Sequence, residues 1–217
     1  MTLLEFARGP ALEWSIAIFV LGILLRLLGS LLLARTVPLS KPRSTNTVWA
    51  GVRTVFRRMY THRGFRAGTK FQFWSGYVFH IGLFIVIFLY IPHISFFESL
   101  LGISWPGLPN SIVMAAGVLT LGIGVALLYR RLTDPVLRML SGFDDYFSWF
   151  VTFVPVLTGL MAFGHVGLRY ETMLAVHILS VELLLIWFPF GKLMHTFFFV
   201  PSRAQNGAKF ERRGVRA

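Results

Sequence analysis

Residues 71–91 read FQFWSGYVFHIGLFIVIFLYI, a run with no Asp, Glu, Lys or Arg and with one histidine, His80, in its midst. A helix needs about 20 apolar residues to cross the hydrocarbon core of a bilayer, and this run supplies them. Working outward, four more stretches qualify, at 14–33, 112–129, 146–163 and 172–200, each separated from the next by charge, Pro or Gly clusters. The last is longer than a minimal span and is expected to tilt or to project beyond the bilayer. None shows the apolar/polar alternation of a membrane barrel strand. The expected fold is therefore all-α and integral to the membrane: five transmembrane helices in one domain over 1–217, a basic loop at 35–70 and a basic tail at 201–217.

Composition agrees. Of the 217 residues 55% are hydrophobic and 14% charged, against roughly 45–50% and about 25% in soluble domains, so the excess apolar surface has to face lipid. The formal charge of +12, from 21 Lys+Arg and 9 Asp+Glu, would suggest nucleic acid in a soluble protein. Here its distribution explains it. Arg35, Lys41, Arg43, Arg53, Arg57, Arg58, Arg63, Arg66 and Lys70 lie between spans one and two, and Arg130, Arg131 and Arg138 between spans three and four. Arg203, Lys209, Arg212, Arg213 and Arg216 follow span five, whereas the opposite side carries only Arg8 and Arg169. The positive-inside rule then puts the amino terminus outside and the carboxyl terminus in the cytoplasm, with the basic face suited to anionic lipid and no need of nucleic acid. Glu5 before the first apolar run, and no small-residue cleavage site after it, favour a retained first span over a signal peptide. Val48, Trp49, Val52, Val55 and Phe56 among the arginines of the long loop suit an amphipathic interfacial helix.

The chain has no cysteine, so disulfides, thiolate metal sites, iron–sulfur clusters and covalently attached haem are not its own chemistry. Histidine is what remains. Ionisable groups within spans are functional candidates by default, and four of the six histidines lie on two spans running in opposite directions: His80 and His93 near span two, His177 and His195 in span five. At about 1.5 Å per residue, depth pairs His80 with His195 nearer the cytoplasm and His93 with His177 nearer the outside. Facing neutral imidazoles are the axial ligand set of a b-type haem. Within one continuous helix the 18 residues from His177 to His195 are five turns, which would set both on one face. The 13 residues from His80 to His93 put His93 off the His80 face unless Pro92 bends the end. Gly76 and Gly82 would let a flat macrocycle approach span two. Alternatively, each histidine only makes interhelical hydrogen bonds. His62 reads as solvated or near lipid headgroups, and His165 as interfacial, with a haem propionate or a quinol as its alternative contact. Arg26, in the inner half of span one, suits a haem propionate or snorkels to the surface. Glu182 accepts a proton near the outer site or hydrogen-bonds a neighbouring helix.

Phe79-His80-Ile81-Gly82-Leu83, Arg130-Arg131-Leu132, Val176-His177-Ile178-Leu179, Phe188-Pro189-Phe190 and Leu193-Met194-His195 together resemble the gamma subunit of respiratory nitrate reductase. They also resemble its relatives, the membrane cytochromes b of heterodisulfide-reductase-like and sulfite-reduction-linked complexes. The resemblance covers all five spans and implies two haem b groups, the inner on His80 and His195 and the outer on His177. Two positions depart from the nitrate reductase pattern. Tyr90 stands ten residues after His80, where that pattern has its second histidine, so His93 must substitute. No lysine stands near 109–114, where that pattern places one at its quinol site.

The expected function is that of a dihaem cytochrome b subunit in an inner (cytoplasmic) membrane. It would pass electrons between menaquinone or another quinone and a cytoplasmic iron–sulfur subunit, with substrate catalysis on a partner catalytic subunit. The alternatives are the four-helix cytochrome b of hydrogenases and formate dehydrogenases, and a haem-free scaffold or transporter subunit.

Overall fold

The computed structural model describes residues 1–33 and 40–215, so Arg35 of the loop and Arg216 of the tail lie outside the described residues. Every regular element among the described residues is helical: α1 (Leu3–Arg8), α2 (Pro10–Leu32), α3 (Thr47–Arg57), α4 (Arg66–Leu89), α5 (Ile91–Leu101), α6 (Asn110–Thr133), α7 (Pro135–Leu140), α8 (Phe143–Phe163), α9 (Tyr170–Trp187) and α10 (His195–Arg212). Five helical stretches are long and apolar enough to cross a membrane: Leu3–Leu32, Arg63–Leu89, Asn110–Thr133, Phe143–Phe163 and Tyr170–Trp187. In an apolar window of 18 residues within each, only 11% of the second and 33% of the fourth are buried by protein, so most of their apolar side chains are exposed. These five stretches are consistent with a multi-pass membrane protein.

The described residues fall into two compact units. The first comprises Met1–Phe19 and Phe71–Trp187. In it α1 packs on α9, α6 on α8 and α8 on α9. Small residues permit the close approaches. A Cβ on Gly82 of α4 would overlap Thr120 Oγ1 of α6, and Thr120 is itself fully buried, its hydroxyl donating to Ala116 O at 2.7 Å. Side chains tie the helix ends: Arg130 donates to Gln72 Oε1 at 2.9 Å, and Arg131 pairs with Asp145 at 2.9 Å. These two arginines of the quoted motif therefore join α4 to α6 and α6 to α8.

The second unit comprises Val20–Lys70 and Phe188–Ala217. Its centre is the α3–α10 pair, in which a Cβ on Gly51 would come within 2.9 Å of Ala204 O and one on Gly207 would overlap Thr54 Oγ1. Arg53 reaches Glu211 at 3.4 Å and Ser44 donates to the other Glu211 oxygen at 2.9 Å. The helix expected in the basic loop is present as α3, its Ala50, Gly51, Thr54 and Val55 buried and its Val48, Trp49 and Phe56 exposed.

One span differs from expectation. The apolar stretch at 172–200 is not a continuous helix: α9 ends at Trp187, a turn over 188–191 and one 3-10 turn at Lys192–Met194 follow, and α10 starts at His195. Proline is the reason. Pro189 has no N–H for the helical ladder and its ring crowds the preceding turn, while the residue before a proline avoids helical geometry. Pro189 is fully buried and sits against Gly22 of α2, where a Cβ would come within 2.6 Å of its ring. His177 and His195 consequently do not share a face of one helix; they belong to two helices in two units.

Candidate functional site

The outer histidine pair is assembled within the first unit. Its geometry starts at the end of α4, where the last carbonyls have no partner inside the helix. Tyr90 is extended, Pro92 occupies the first turn of α5, and the chain turns instead of continuing. Three groups then cover the carbonyls that α4 leaves open: His93 Nδ1 meets Val86 O at 2.8 Å, Trp105 Nε1 donates to Phe88 O at 2.5 Å, and the Leu108 amide donates to Leu89 O at 2.9 Å. His93 therefore sits on α5, and its helical phase relative to His80 ceases to matter.

His177 projects from α9, and its ring lies over Gly159 of α8, where a Cβ would stand 3.1 Å from Cε1 and 3.4 Å from Nδ1. The rings of His93 and His177 are nearly parallel, 17° apart, with centroids 6.1 Å apart. Two metal–nitrogen bonds of about 2 Å each, plus about 1 Å from each nitrogen to its ring centre, ask for ring centres about 6 Å apart. The centroid separation of the pair matches that sum.

Hydrogen bonds fix which nitrogen would be offered. A carbonyl oxygen only accepts, so His93 Nδ1 must donate to Val86 O, which in a neutral imidazole leaves the lone pair on Nε2. For His177 the partner is Thr158 Oγ1 at 3.2 Å, a group able to act either way. The Thr158 hydroxyl proton is committed to Val154 O at 2.8 Å, and the Ser180 hydroxyl proton to His177 O at 2.6 Å. Thr158 Oγ1 therefore accepts from His177 Nδ1, and Nε2 again keeps the lone pair. This is the supporting arrangement that orients metal-bound imidazoles, with the other ring nitrogen donating to an oxygen.

His80 and His195 show the same local anchoring, each in its own unit. His80 Nδ1 lies 2.6 Å from Gly76 O and His195 Nδ1 2.9 Å from Lys192 O, and both residues are exposed. A Cβ on Gly76 would meet nothing within 4 Å. Gly82, expected to face a macrocycle, is used by α6 instead. Arg26 is exposed on α2. His62 is exposed, and its Nδ1 accepts from the Gly64 amide at 3.3 Å. His165 adopts a positive φ of 52° and stacks on Tyr170 at 5.0 Å.

Thr158 and Gly159 were not legible as site residues, because what marks them is contact with a histidine on another helix. Glu182 is 4% exposed and its Oε1 has no hydrogen-bond partner among the described residues. Neither Arg26 nor Glu182 pairs with an opposite charge among the described residues. Nor does any group of three or more His, Cys, Asp or Glu converge there as a metal site. The arrangement on offer is the two-imidazole kind.

No family model matches the chain. It is similar to a protein of Nitratidesulfovibrio vulgaris strain Hildenborough, 36% identical over 134 residues, a match spanning 62% of this chain and 59% of the relative.

Proposed function

We propose that the chain is a dihaem cytochrome b subunit that carries electrons between a membrane quinone and a cytoplasmic iron–sulfur partner, whose complex performs the substrate chemistry. The observation that carries this reading is the His93–His177 pair: near-parallel imidazoles 6.1 Å apart, both held by Nδ1 hydrogen bonds. When bound between such ligands, haem supplies reversible one-electron chemistry. His93 and His177 would hold the outer group and His80 and His195 the inner one. The chain's own part is to orient the four rings through their Nδ1 hydrogen bonds. Arg26 is the candidate partner for an inner propionate. The basic residues of α3 and α10 suit docking of an acidic cytoplasmic subunit, and the charge asymmetry supports an amino terminus outside the inner membrane and a carboxyl terminus in the cytoplasm.

The resemblance to the nitrate reductase gamma subunit and its sulfite-reduction-linked relatives supports the same reading. Haem extraction from the detergent-purified chain tests it. The expected result is two haem b per chain with a low-spin reduced spectrum; a haem-free, folded protein would overturn it.

A further inference from the structure

At about 100° per residue, the side chains of α3 fall into three sectors. Ala50, Gly51, Thr54 and Val55 fill the sector turned to α10 and are buried. Val48, Val52, Phe56 and Trp49 share an arc of about 100° and are 81%, 41%, 66% and 59% exposed. Arg53 and Arg57 follow, about 40° and 80° beyond Trp49; Arg53 reaches Glu211, and Arg57 is exposed. The side of α3 that serves as core is thus already used, and the four exposed side chains need another apolar medium. Two features say which one. Residues 34–70 carry nine Lys and Arg and no Asp or Glu, so the medium should be negatively charged. The chain from the end of α3 at Arg57 to Arg63, where the second stretch of membrane-spanning length begins, is six residue steps, which extend to about 20 Å. A bilayer that holds that stretch therefore keeps its surface within reach of α3. An acidic protein would answer the arginines and leave the apolar arc wet. An anionic phospholipid surface answers both, with phosphates for the arginines and acyl chains for the arc.

We infer that α3 lies in the surface of an anionic phospholipid bilayer, with Val48, Trp49, Val52 and Phe56 among the acyl chains and Arg57 and its exposed neighbour Arg58 at the phosphates. The inference goes beyond the haem reading and does not rest on it. Lys209 is exposed and is turned about 200° round α10 from Gly207, away from α3. It stays open to the subunit docking proposed above.

The test uses the full chain, which has no cysteine of its own, so that Val52→Cys carries a single nitroxide label. Asn206→Cys carries the control label, about 200° round α10 from the Ala204 that meets Gly51. Each protein is reconstituted in vesicles of phosphatidylcholine alone or of its equimolar mixture with phosphatidylglycerol, and circular dichroism checks the helix content. Electron paramagnetic resonance then compares access of oxygen, which dissolves among acyl chains, with access of a water-soluble nickel chelate. In the anionic vesicles the label at 52 should favour oxygen, at a depth of about 5–10 Å, and the label at 206 should favour nickel. Each basic residue near an anionic surface shifts the bound population about fivefold, so Arg57→Gln with Arg58→Gln should lower the ratio of buried to aqueous label at 52 by about 25-fold. Phe56→Cys repeats the reading at a second position of the arc, so that a local disturbance at 52 does not decide it. Labels at 52 and 56 as open to nickel as the label at 206 in the anionic vesicles would overturn the inference and leave the arc to a protein partner. The same ratio of buried to aqueous label in neutral and anionic vesicles would overturn it as well, because the arginines would then have no part in holding α3.

Discussion

Gly159→Ala would put a methyl group 3.1 Å from His177 Cε1 and 3.4 Å from Nδ1. Carbon contacts settle at about 3.5–4.0 Å, so the imidazole must retreat by about 0.4–0.9 Å or tilt. A ligand has to be held within about 0.5 Å and 10–20° of its working geometry. The retreat therefore reaches or exceeds that tolerance, and it also stretches the 3.2 Å contact from Nδ1 to Thr158. The effect on global stability is smaller. Overpacking costs about 1–3 kcal/mol, and replacing a helical Gly by Ala returns up to about 1 kcal/mol. The expected outcome is a folded protein with a damaged outer site: the haem count falls from two towards one, and the outer low-spin signal in electron paramagnetic resonance is lost or broadened. Gly159→Val should act more strongly. Gly122→Ala, where a Cβ meets nothing within 4 Å, is the control and should leave both haems in place. Two haems with unaltered spectra in both Gly159 variants would show that the His177 ring holds no haem.

Thr158→Val keeps the volume and deletes the acceptor for His177 Nδ1–H, so the outer haem should be held about 10–100-fold more weakly, while Thr158→Ser retains it; haem-transfer titrations measure both. Gly82→Ala should lower thermal stability in detergent by about 1–3 kcal/mol through collision with Thr120, with haem ligation kept as long as the fold survives. Alkaline phosphatase fused after Ala217 should be inactive, and fused in the segment near Trp105 active; the opposite pattern would invert the assigned topology.

The positions of the spans were legible because the signal behind them, runs of apolar residues bounded by charge, is one-dimensional. The helix α3 was legible from its apolar residues at helical spacing among arginines. The break in the fifth stretch was not read, since hydropathy stays high through Phe188-Pro189-Phe190 and only the backbone chemistry of Pro189 stops the helix. With it went the argument that His177 and His195 share a face. The pairing of His93 with His177 by depth meets a structure that brings these rings side by side, and the phase mismatch with His80 disappears because Pro92 starts a new helix. Gly82 shows the opposite failure: a glycine beside a candidate ligand suggests room for a cofactor, yet the room is taken by Thr120. Thr158 and Gly159 support His177 across a helix interface, and nothing in the linear order of residues announces that contact.

Ligation of haem by histidine pairs is tested by haem content and optical spectrum in five single variants. His93→Ala and His177→Ala should each lose the same haem, and His80→Ala and His195→Ala should each lose the other, with Tyr90→Phe retaining two. Loss of different haems by His93→Ala and His177→Ala, or two haems retained in His93→Ala, would contradict the account.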